Sequence, residues 1–218
     1  MQREILVVDP AVKIPETDCY NRIAETAPAP CTYHLPKFTG MDALEKLSAR
    51  PYAIIVLGSS SSVNDKFDWQ ISLGTWLKRQ MDAGIPTLGL CFGHQLIAHL
   101  YGARVAEVFE GRKESGFRQV QLAPNRLWGA ATQGMLTVSH KEAVLECPAG
   151  FEVVGKSALV AVDAIAHQTK PIWGFQSHPE ATSLFLKYHS IEPAKSPSDF
   201  DFGHSIVSKF MEFALKQP

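Results

Sequence analysis

The chain has 218 residues, of which 45% are hydrophobic, so it is long enough to bury a substantial core. Its 21 basic and 22 acidic residues give a formal net charge of −1, which provides no cationic field to attract nucleic acid or an anionic membrane. No segment approaches the roughly 18–20 apolar residues of a membrane span, and the first residues lack the apolar run of a secretory signal. We therefore expect a cytoplasmic protein.

Short apolar runs mark the first half of the chain. Residues 4–8, 53–57 and 86–90 are each a largely apolar run, and residues 31–35 form a weaker one. Such runs are typical of strands that are buried on both faces, as in a parallel sheet covered by helices.

Helical periodicity separates these runs. Residues 41–49 place apolar side chains three positions apart, and residues 69–83 carry an apolar stripe that ends before Gly84. Alternating strands and helices predict an α/β fold with a doubly wound, mostly parallel sheet flanked by helices. Because no linker or repeat divides the chain, we expect residues 1–218 to form a single domain.

The second half has a different pattern. Residues 103–165 contain short alternating segments separated by turn residues, which predict an antiparallel extension of the sheet. Residues 172–176 predict a returning strand. Residues 190–204 are polar and contain prolines, which predicts a loop, and residues 205–216 predict a final amphipathic helix.

The four cysteines, at positions 19, 31, 91 and 147, lie far apart and show no CxxC spacing. This pattern argues against a structural zinc site and against a disulfide-stapled secreted fold. It leaves a single cysteine with a distinctive context, at position 91.

The segment 89–95, GLCFGHQ, follows a predicted strand and begins a helical pattern. A G-x-C-x-G turn can hold its cysteine at a sharp strand-to-helix corner, because the flanking glycines leave room for a tight backbone. The corner places the Cys91 sulfur where open α/β sheets bind ligands, and at a helix N-terminus that favours the thiolate. These features predict a nucleophile, although a buried structural cysteine between two packing glycines has the same pattern.

The segment 176–180, QSHPE, supplies a candidate base. Pro179 disfavours helix at His178, so the chain there is extended or turned, and residues i and i+2 point to the same side. Glu180 can therefore orient one imidazole nitrogen of His178 while the other faces a thiol, which is a nucleophile–base–orienter arrangement. On this segment alone, a histidine at a strand end beside a solvated glutamate, or a His-x-Glu metal pair, is an alternative.

Together these segments resemble the class I glutamine amidotransferase family. Residues 57–65, LGSSSSVND, resemble its glycine-rich loop, residues 114–117, ESGF, its E-x-G-W/F element, and residues 139–142, SHKE, its substrate loop. The motifs occur in the family's order. The branch that looks most similar is the free-standing group resembling the amidotransferase domain of GMP synthetase, which implies a flavodoxin-like fold.

The resemblance implies a Cys-His-Glu triad. Cys91 would attack the side-chain carbonyl of glutamine, release ammonia and form a γ-glutamyl thioester. His178 would transfer the protons, and Glu180 would fix the tautomer of His178. This chemistry implies no metal and no organic cofactor, because a thiolate and an imidazole suffice for acyl transfer.

The resemblance also implies residues around the triad. Backbone N–H groups of Gly58, Ser59 and Phe92 would stabilise the oxyanion, and Gln95 would help to bind the amino acid end of the substrate. The other substrate-binding candidates share one loop: Ser139, His140, Lys141 and Glu142. A hydrogen bond within its own fold is an equal alternative for Gln95, and a structural role is favoured for His140.

Two motifs depart from the family's pattern: the glycine-rich loop, where Ser60 also replaces a proline, and the substrate loop. Ser59 replaces a glycine that carries an oxyanion N–H, and its Cβ limits reorientation of the peptide. Lys141 replaces a glycine in the substrate loop, which brings bulk and charge near the pocket. Both changes leave the triad intact, and they would suit a γ-glutamyl compound larger than glutamine.

The sequence therefore leaves three functions open. The first is a glutamine amidotransferase that passes ammonia to a partner synthase. The second is a γ-glutamyl peptide or amide hydrolase that acts without a partner. The third is a non-catalytic regulatory domain, for which only Ser59 and Lys141 argue.

Overall fold

The computed structural model describes residues 3–217, so residues 1, 2 and 218 of the predicted domain lie outside the described part. The strands are β1 (Ile5–Val8), β2 (Cys31–His34), β3 (Ala53–Val56), β4 (Thr87–Leu90), β5 (Val105–Glu107), β6 (Glu114–Leu122), β7 (Thr132–His140), β8 (Glu142–Val144), β9 (Phe151–Lys156), β10 (Ala164–His167) and β11 (Ile172–Phe175). The helices are α1 (Thr17–Thr26), α2 (Pro36–Thr39), α3 (Asp42–Glu45), α4 (Asp68–Asp82), α5 (Phe92–Leu100), α6 (Ser183–Tyr188) and α7 (Asp201–Leu215), with a short 3-10 helix at Pro197–Phe200.

Nine strands form one mixed sheet in the order β2-β1-β3-β4-β11-β10-β9-β6-β7. The neighbours from β2 to β11 in this order are parallel. From β11 to β7 they are antiparallel, and the short strands β5 and β8 pair separately. The prediction of a mostly parallel sheet with an antiparallel extension is confirmed.

Two apolar cores cover the parallel half of the sheet, one on each face. Ile5 and Val7 of β1 face the core that includes α7, whereas Leu6 and Val8 face the core that includes α4 and α5. All four side chains are fully buried. Burial on both faces explains why the strands are continuous apolar runs instead of alternating ones.

The helix predicted over residues 41–49 is wrong in its extent, because only Asp42–Glu45 is helical. Lys46 ends the helix: its N–H donates to the Asp42 carbonyl oxygen at 3.0 Å, and its φ of −100° and ψ of 22° leave the helical region. Leu44 is nevertheless buried, and Leu47 packs against the same core. The apolar spacing therefore indicates the packing correctly without indicating a continuous helix.

The loop predicted over residues 190–204 is wrong at its C-terminal end. The Ser196 hydroxyl accepts from the Ser198 N–H at 3.3 Å, and the Asp199 carboxylate accepts from the Ser196 N–H at 3.1 Å, which starts the 3-10 helix. The final helix then begins at Asp201, four residues before the predicted start. No sequence pattern predicted helices α1 and α6.

The helices of residues 3–217 include none with the length and apolar character needed to cross a membrane.

Candidate active site

Cys91 lies at the corner between β4 and α5, as the G-x-C-x-G pattern predicts. Its φ of 50° and ψ of −98° are unusual for a residue with a side chain, which is typical of strained functional positions. A Cβ on Gly93 would lie 2.3 Å from the Val56 carbonyl oxygen, and a Cβ on Gly89 would lie 2.4 Å from the Gly93 carbonyl. The two glycines are therefore required for α5 to pack this closely on the sheet.

The pairing of β4 with β11 brings the second half of the site to Cys91. The strands are parallel with Leu90 opposite Phe175, so their carboxyl ends lie side by side. The Cys91 N–H donates to the Phe175 carbonyl oxygen at 2.8 Å. The side-chain amide of Gln176, although 85 residues away in the chain, lies 3.7 Å from the Cys91 sulfur. The next residues, including His178, lie at the same carboxyl end of these two strands.

His178 and Glu180 form a buried pair. Nδ1 of His178 lies 2.9 Å from Oε1 of Glu180, the contact expected from their i and i+2 spacing. The backbone N–H of His178 donates to the Thr137 carbonyl oxygen at 2.7 Å, which anchors the segment to β7. A Cβ on Gly58 would lie 2.6 Å from Cε1 of His178. Gly58 thus leaves the space that the imidazole ring occupies.

The electrostatics of His178 depend on its neighbours. Burial lowers the pKa of His178, but the Cys91 sulfur and the Glu180 carboxylate outweigh it and raise the pKa to about 10. Nε2 of His178 is buried, and within the described chain the Cys91 sulfur is the group that acts on it. The arrangement favours the protonated imidazolium of His178 at neutral pH.

The backbone around Cys91 offers donors for an oxyanion. Phe92 is the first residue of α5, where N–H groups have no partner within the helix. Ser59 has no left-handed backbone conformation, so its Cβ is accommodated without strain. Its hydroxyl donates to the Pro10 carbonyl oxygen at 2.8 Å and accepts from the Ser61 N–H at 3.1 Å. The serine that replaces glycine therefore ties the glycine-rich loop to the segment after β1.

A cavity of about 520 Å³ opens above the Cys91 sulfur. The predicted site residues that line it are Gly58, Ser59, Cys91, Gln95, Ser139, His140, Lys141, Glu142 and His178. Glu180 and Phe92 lie outside the lining and are buried. A second cavity, of about 570 Å³, lies between β6 and β9 and is lined by no cysteine, histidine or carboxylate. The first cavity is therefore the one with a nucleophile.

Residues 139–142 are held in place by hydrogen bonds from the wall of the cavity. The side-chain amide of Gln95 donates to the Glu142 carbonyl oxygen at 2.8 Å and lies 3.2 Å from the Gln176 amide oxygen. The Glu142 carboxylate accepts from the Ser62 hydroxyl at 2.8 Å. Gln95 thus connects the helix that follows Cys91 with the loop at residues 139–142.

His140 belongs to a buried ion cluster beneath that loop. The Arg118 guanidinium contacts the Glu114 carboxylate and lies 2.9 Å from the Asp163 carboxylate. Nε2 of His140 lies 3.2 Å from the Glu114 carboxylate, and Nδ1 lies 3.0 Å from the Glu142 carbonyl oxygen. Burial raises the pKa of Glu114, but His140 and Arg118 outweigh it and lower the pKa. The cluster therefore connects residues 139–142 to strand β6.

Sequence reasoning missed several residues of the cavity. Gln176 belongs to the QSHPE motif, which assigns it no role, although its amide is beside the nucleophile. Gln176 itself does not line the cavity. The unassigned lining residues come from the segment after β1, the serine loop, the end of β5 and the segment before β6, and the end of α6: Ala11, Val12, Lys13, Ile14, Glu16, Ser60, Ser61, Ser62, Asp65, Glu107, Lys113, Tyr188 and His189. Gln176 and the residues of the serine loop carried a sequence signal, because they belong to motifs, whereas the remaining residues carried none.

No group of three His, Cys, Asp or Glu residues within residues 3–217 is arranged to hold a metal ion.

A comparison with known families identifies the family of the chain. Residues 23–192 match the sequence model of the family described as glutamine amidotransferase class-I. The chain belongs to this family. The family expectation drawn from the motifs is thereby confirmed, since the matched segment contains Cys91, His178 and Glu180.

Two related proteins show how much of a relative this family member spans. It is 35% identical over 142 residues to a glutamine-hydrolyzing GMP synthase of Thermobifida fusca, covering 64% of this chain and 26% of that one. It is 36% identical over 110 residues to one subunit of the glutamine-hydrolyzing GMP synthase of Methanocaldococcus jannaschii, covering 46% and 53%. The matches therefore span only about a quarter and a half of these relatives.

The fold also has a close structural match. A glutamine amidotransferase of Thermotoga maritima superposes with a TM-score of 0.78 over 100% of both chains, at 15% sequence identity. At this identity the match concerns the fold alone.

Proposed function

We propose that this class I family member hydrolyses the side-chain amide of glutamine through a γ-glutamyl thioester on Cys91. The observation that carries the proposal is the position of Cys91. Its sulfur lies at a strained strand-to-helix corner, at the floor of a cavity and beside the buried His178–Glu180 pair. This is the nucleophile–base–orienter arrangement of acyl transfer.

The first half of the reaction forms the thioester. The Cys91 thiolate attacks the side-chain carbonyl carbon, and the oxyanion that develops is stabilised by N–H groups of Gly58, Ser59 and Phe92. The imidazolium of His178 gives a proton to the amide nitrogen as the carbon–nitrogen bond breaks. Ammonia then leaves, and the γ-glutamyl group remains on sulfur.

The second half releases glutamate. His178, now neutral, takes a proton from a water molecule that attacks the thioester carbonyl. The carbon–sulfur bond breaks, and Cys91 returns to the thiolate. Glu180 keeps Nδ1 of His178 engaged through both halves, so that Nε2 is the nitrogen that exchanges protons.

The substrate's amino acid end is assigned to the wall formed by Gln95 and residues 139–142. The relatives named as GMP synthases support a second component, a cytoplasmic partner synthase that receives the ammonia. The relative from Methanocaldococcus jannaschii is named as one subunit of its enzyme, which supports an amidotransferase unit that works with a partner chain.

Glutamate and ammonia release from glutamine tests the proposal. Wild-type protein should release both in equal amounts, and Cys91→Ala should lose at least roughly 10³-fold in rate. Undiminished release by Cys91→Ala would refute the mechanism. A synthase partner, if present in the assay, should raise the rate of the wild type but not of Cys91→Ala.

A second candidate is the hydrolysis of γ-glutamyl peptides or amides without a partner. The observation that favours it is Lys141, which lines the cavity where the family's motif has glycine. Glutamate release from γ-glutamyl dipeptides and γ-glutamyl amines, beside glutamine, separates the two candidates. Faster cleavage of the dipeptides by the protein alone would favour the second.

A thiol probe tests the non-catalytic alternative. If Cys91 is an activated thiolate, it should react with iodoacetamide at neutral pH faster than free cysteine does. Cys147 and Cys31 are partly exposed, so the measurement should follow Cys91 by peptide mapping. Equal reactivity of Cys91 and free cysteine would leave a regulatory domain as the better description.

A further inference from the structure

Two lysines at the mouth of the cavity have no assigned role. Lys113 and Lys141 are both exposed and both line the cavity above Cys91. Partial burial lowers the pKa of Lys113, the Cys91 sulfur opposes this, and the charge of Lys141 lowers it further. The two ammonium groups thus line the same cavity as the reactive sulfur, where their like charges repel each other.

The acidic residues of the cavity do not neutralise these lysines. In the described chain, no carboxylate lies within ion-pair distance of Lys113 or Lys141. Glu142 accepts from Ser62, and Asp65 accepts from the Ser61 hydroxyl at 2.7 Å. The lysines are therefore available to a ligand.

Another carboxylate of the cavity is engaged by a histidine. Oε1 of Glu16 lies 2.6 Å from Nε2 of His189. Glu107 also lines the cavity and is exposed, so it is free to contact the α-ammonium group of a γ-glutamyl substrate.

Two further exposed residues that line the cavity are apolar or aromatic. Ile14 and Tyr188 both line the cavity, and they are 58% and 52% exposed. Large apolar side chains this exposed beside a reactive site favour contact with a ligand. We define the rim as Ile14, Glu107, Lys113, Lys141 and Tyr188.

Glutamine does not match two lysines. Its one carboxylate belongs to its amino acid end, and it carries no charge on the leaving side of the scissile amide. A γ-glutamyl amino acid carries a second carboxylate on the far side of the scissile amide. This second carboxylate has two oxygens, so it can pair with both lysines and offset their mutual repulsion.

We propose that the rim selects γ-glutamyl amino acids or peptides, whose second carboxylate is held at Lys113 and Lys141. The proposal rests on the thioester chemistry proposed for Cys91, and it favours the substrate class of the second candidate over glutamine. The apolar rim residues would contact the side chain of the amino acid that leaves.

Two substrates that differ by one charge test the proposal. γ-Glutamylglycine ends in a carboxylate, and γ-glutamylglycinamide is its neutral match. For wild-type protein at low salt, kcat/KM should be at least roughly fivefold higher for the charged substrate, the size of a well-placed exposed ion pair. The preference should decline as salt is added, because exposed charges are screened.

Variants of the two lysines test whether these residues cause the preference for the charged substrate. Lys113→Met and Lys141→Gly should each bring the ratio of the two kcat/KM values closer to one. Lys209→Met removes one exposed charge from α7, outside the cavity, and should keep the wild-type ratio. The salt dependence of the wild type gives the same information if a variant does not fold.

The outcomes separate this inference from the function on which it rests. Cys91-dependent cleavage of glutamine or γ-glutamylglycinamide, without preference for γ-glutamylglycine, would overturn the rim assignment alone. A preference that survives in both lysine variants would also overturn it. If the wild type cleaves none of the three substrates, the proposed function is wrong and this inference with it.

Discussion

At the centre of the cavity, backbone geometry positions the reacting groups. At the rim, by contrast, the charged groups are at the ends of long side chains. Cys91 and His178 both follow neighbouring parallel strands, and Gly93 and Gly58 provide the space that they need. The rim takes Lys113 and Lys141 from segments of the antiparallel extension, where both side chains are exposed. The reaction chemistry and the substrate selection therefore depend on different parts of the fold, so one scaffold can keep its chemistry while its substrate changes.

The largest expected effect is at the centre. His178→Ala removes the proton-transfer group and should reduce kcat/KM by roughly 10⁴-fold, the upper end for a general acid–base group. His99→Ala, on the exposed side of α5, is the matched control and should retain wild-type activity. Steady-state glutamate release and a circular dichroism spectrum together distinguish lost chemistry from lost folding. If both variants are equally active, His178 has no role in the reaction.

The next effect concerns the support beneath the rim. Arg118→Met leaves the Glu114 and Asp163 carboxylates without their cation, so we expect a loss of about 3–5 kcal/mol in the free energy of unfolding. Urea denaturation measures it. Arg104→Met, which removes an exposed pair with Glu146, should change the value by less than about 1 kcal/mol. Similar small values for both variants would show that the buried cluster is not needed to hold the extension.

A smaller effect is expected from the orienting carboxylate. Glu180→Gln should reduce kcat/KM by roughly 10²-fold, less than His178→Ala, because the imidazole itself remains. Glu180 is one of the groups that raise the pKa of His178 to about 10, so the variant should lose activity at lower alkaline pH than the wild type does. Glu192→Gln, on an exposed loop, serves as control and should leave the pH profile unchanged.

The raised pKa of His178 makes the stability of the protein depend on pH. Because the pKa of His178 is raised on folding from about 6.5 to about 10, its charged form stabilises the fold fully below pH 6.5. This contribution disappears as the pH rises through about 10. The difference in unfolding free energy between wild type and Glu180→Gln should therefore shrink between pH 6.5 and pH 10. A difference that grows over this interval would contradict the charged state assigned to His178.

The smallest effect is expected where the centre meets the rim. Ser59→Ala removes the hydrogen bonds to Pro10 and Ser61 and should destabilise the protein by about 1 kcal/mol. Ser60→Ala, its exposed neighbour, should change stability by less than about 0.5 kcal/mol. Thermal or urea unfolding of the pair decides whether the serine in place of glycine serves to hold the loop.

The sequence predicted the centre better than the rim. Strand bounds at β1, β3 and β4 were right to within a residue or two, because apolar runs buried on both faces have few alternatives. The contact between His178 and Glu180 followed from their spacing alone. Lys113 gave no signal, since an exposed lysine in a polar segment has no pattern that points to a cavity.

What the sequence determined by itself is local: the apolar runs, the glycine-flanked corner at Cys91 and the histidine–glutamate spacing, all of which depend on residues within a few positions of one another. What only the tertiary structure decided is the order of the strands. Placing β11 beside β4 brings Gln176 within 3.7 Å of the Cys91 sulfur, and no rule of local periodicity could set that neighbour. The backbone hydrogen bond from His178 to Thr137 then brings the end of β7, and with it Lys141, to the cavity, because hydrogen bonding between distant segments, and not their sequence separation, fixes which of them meet.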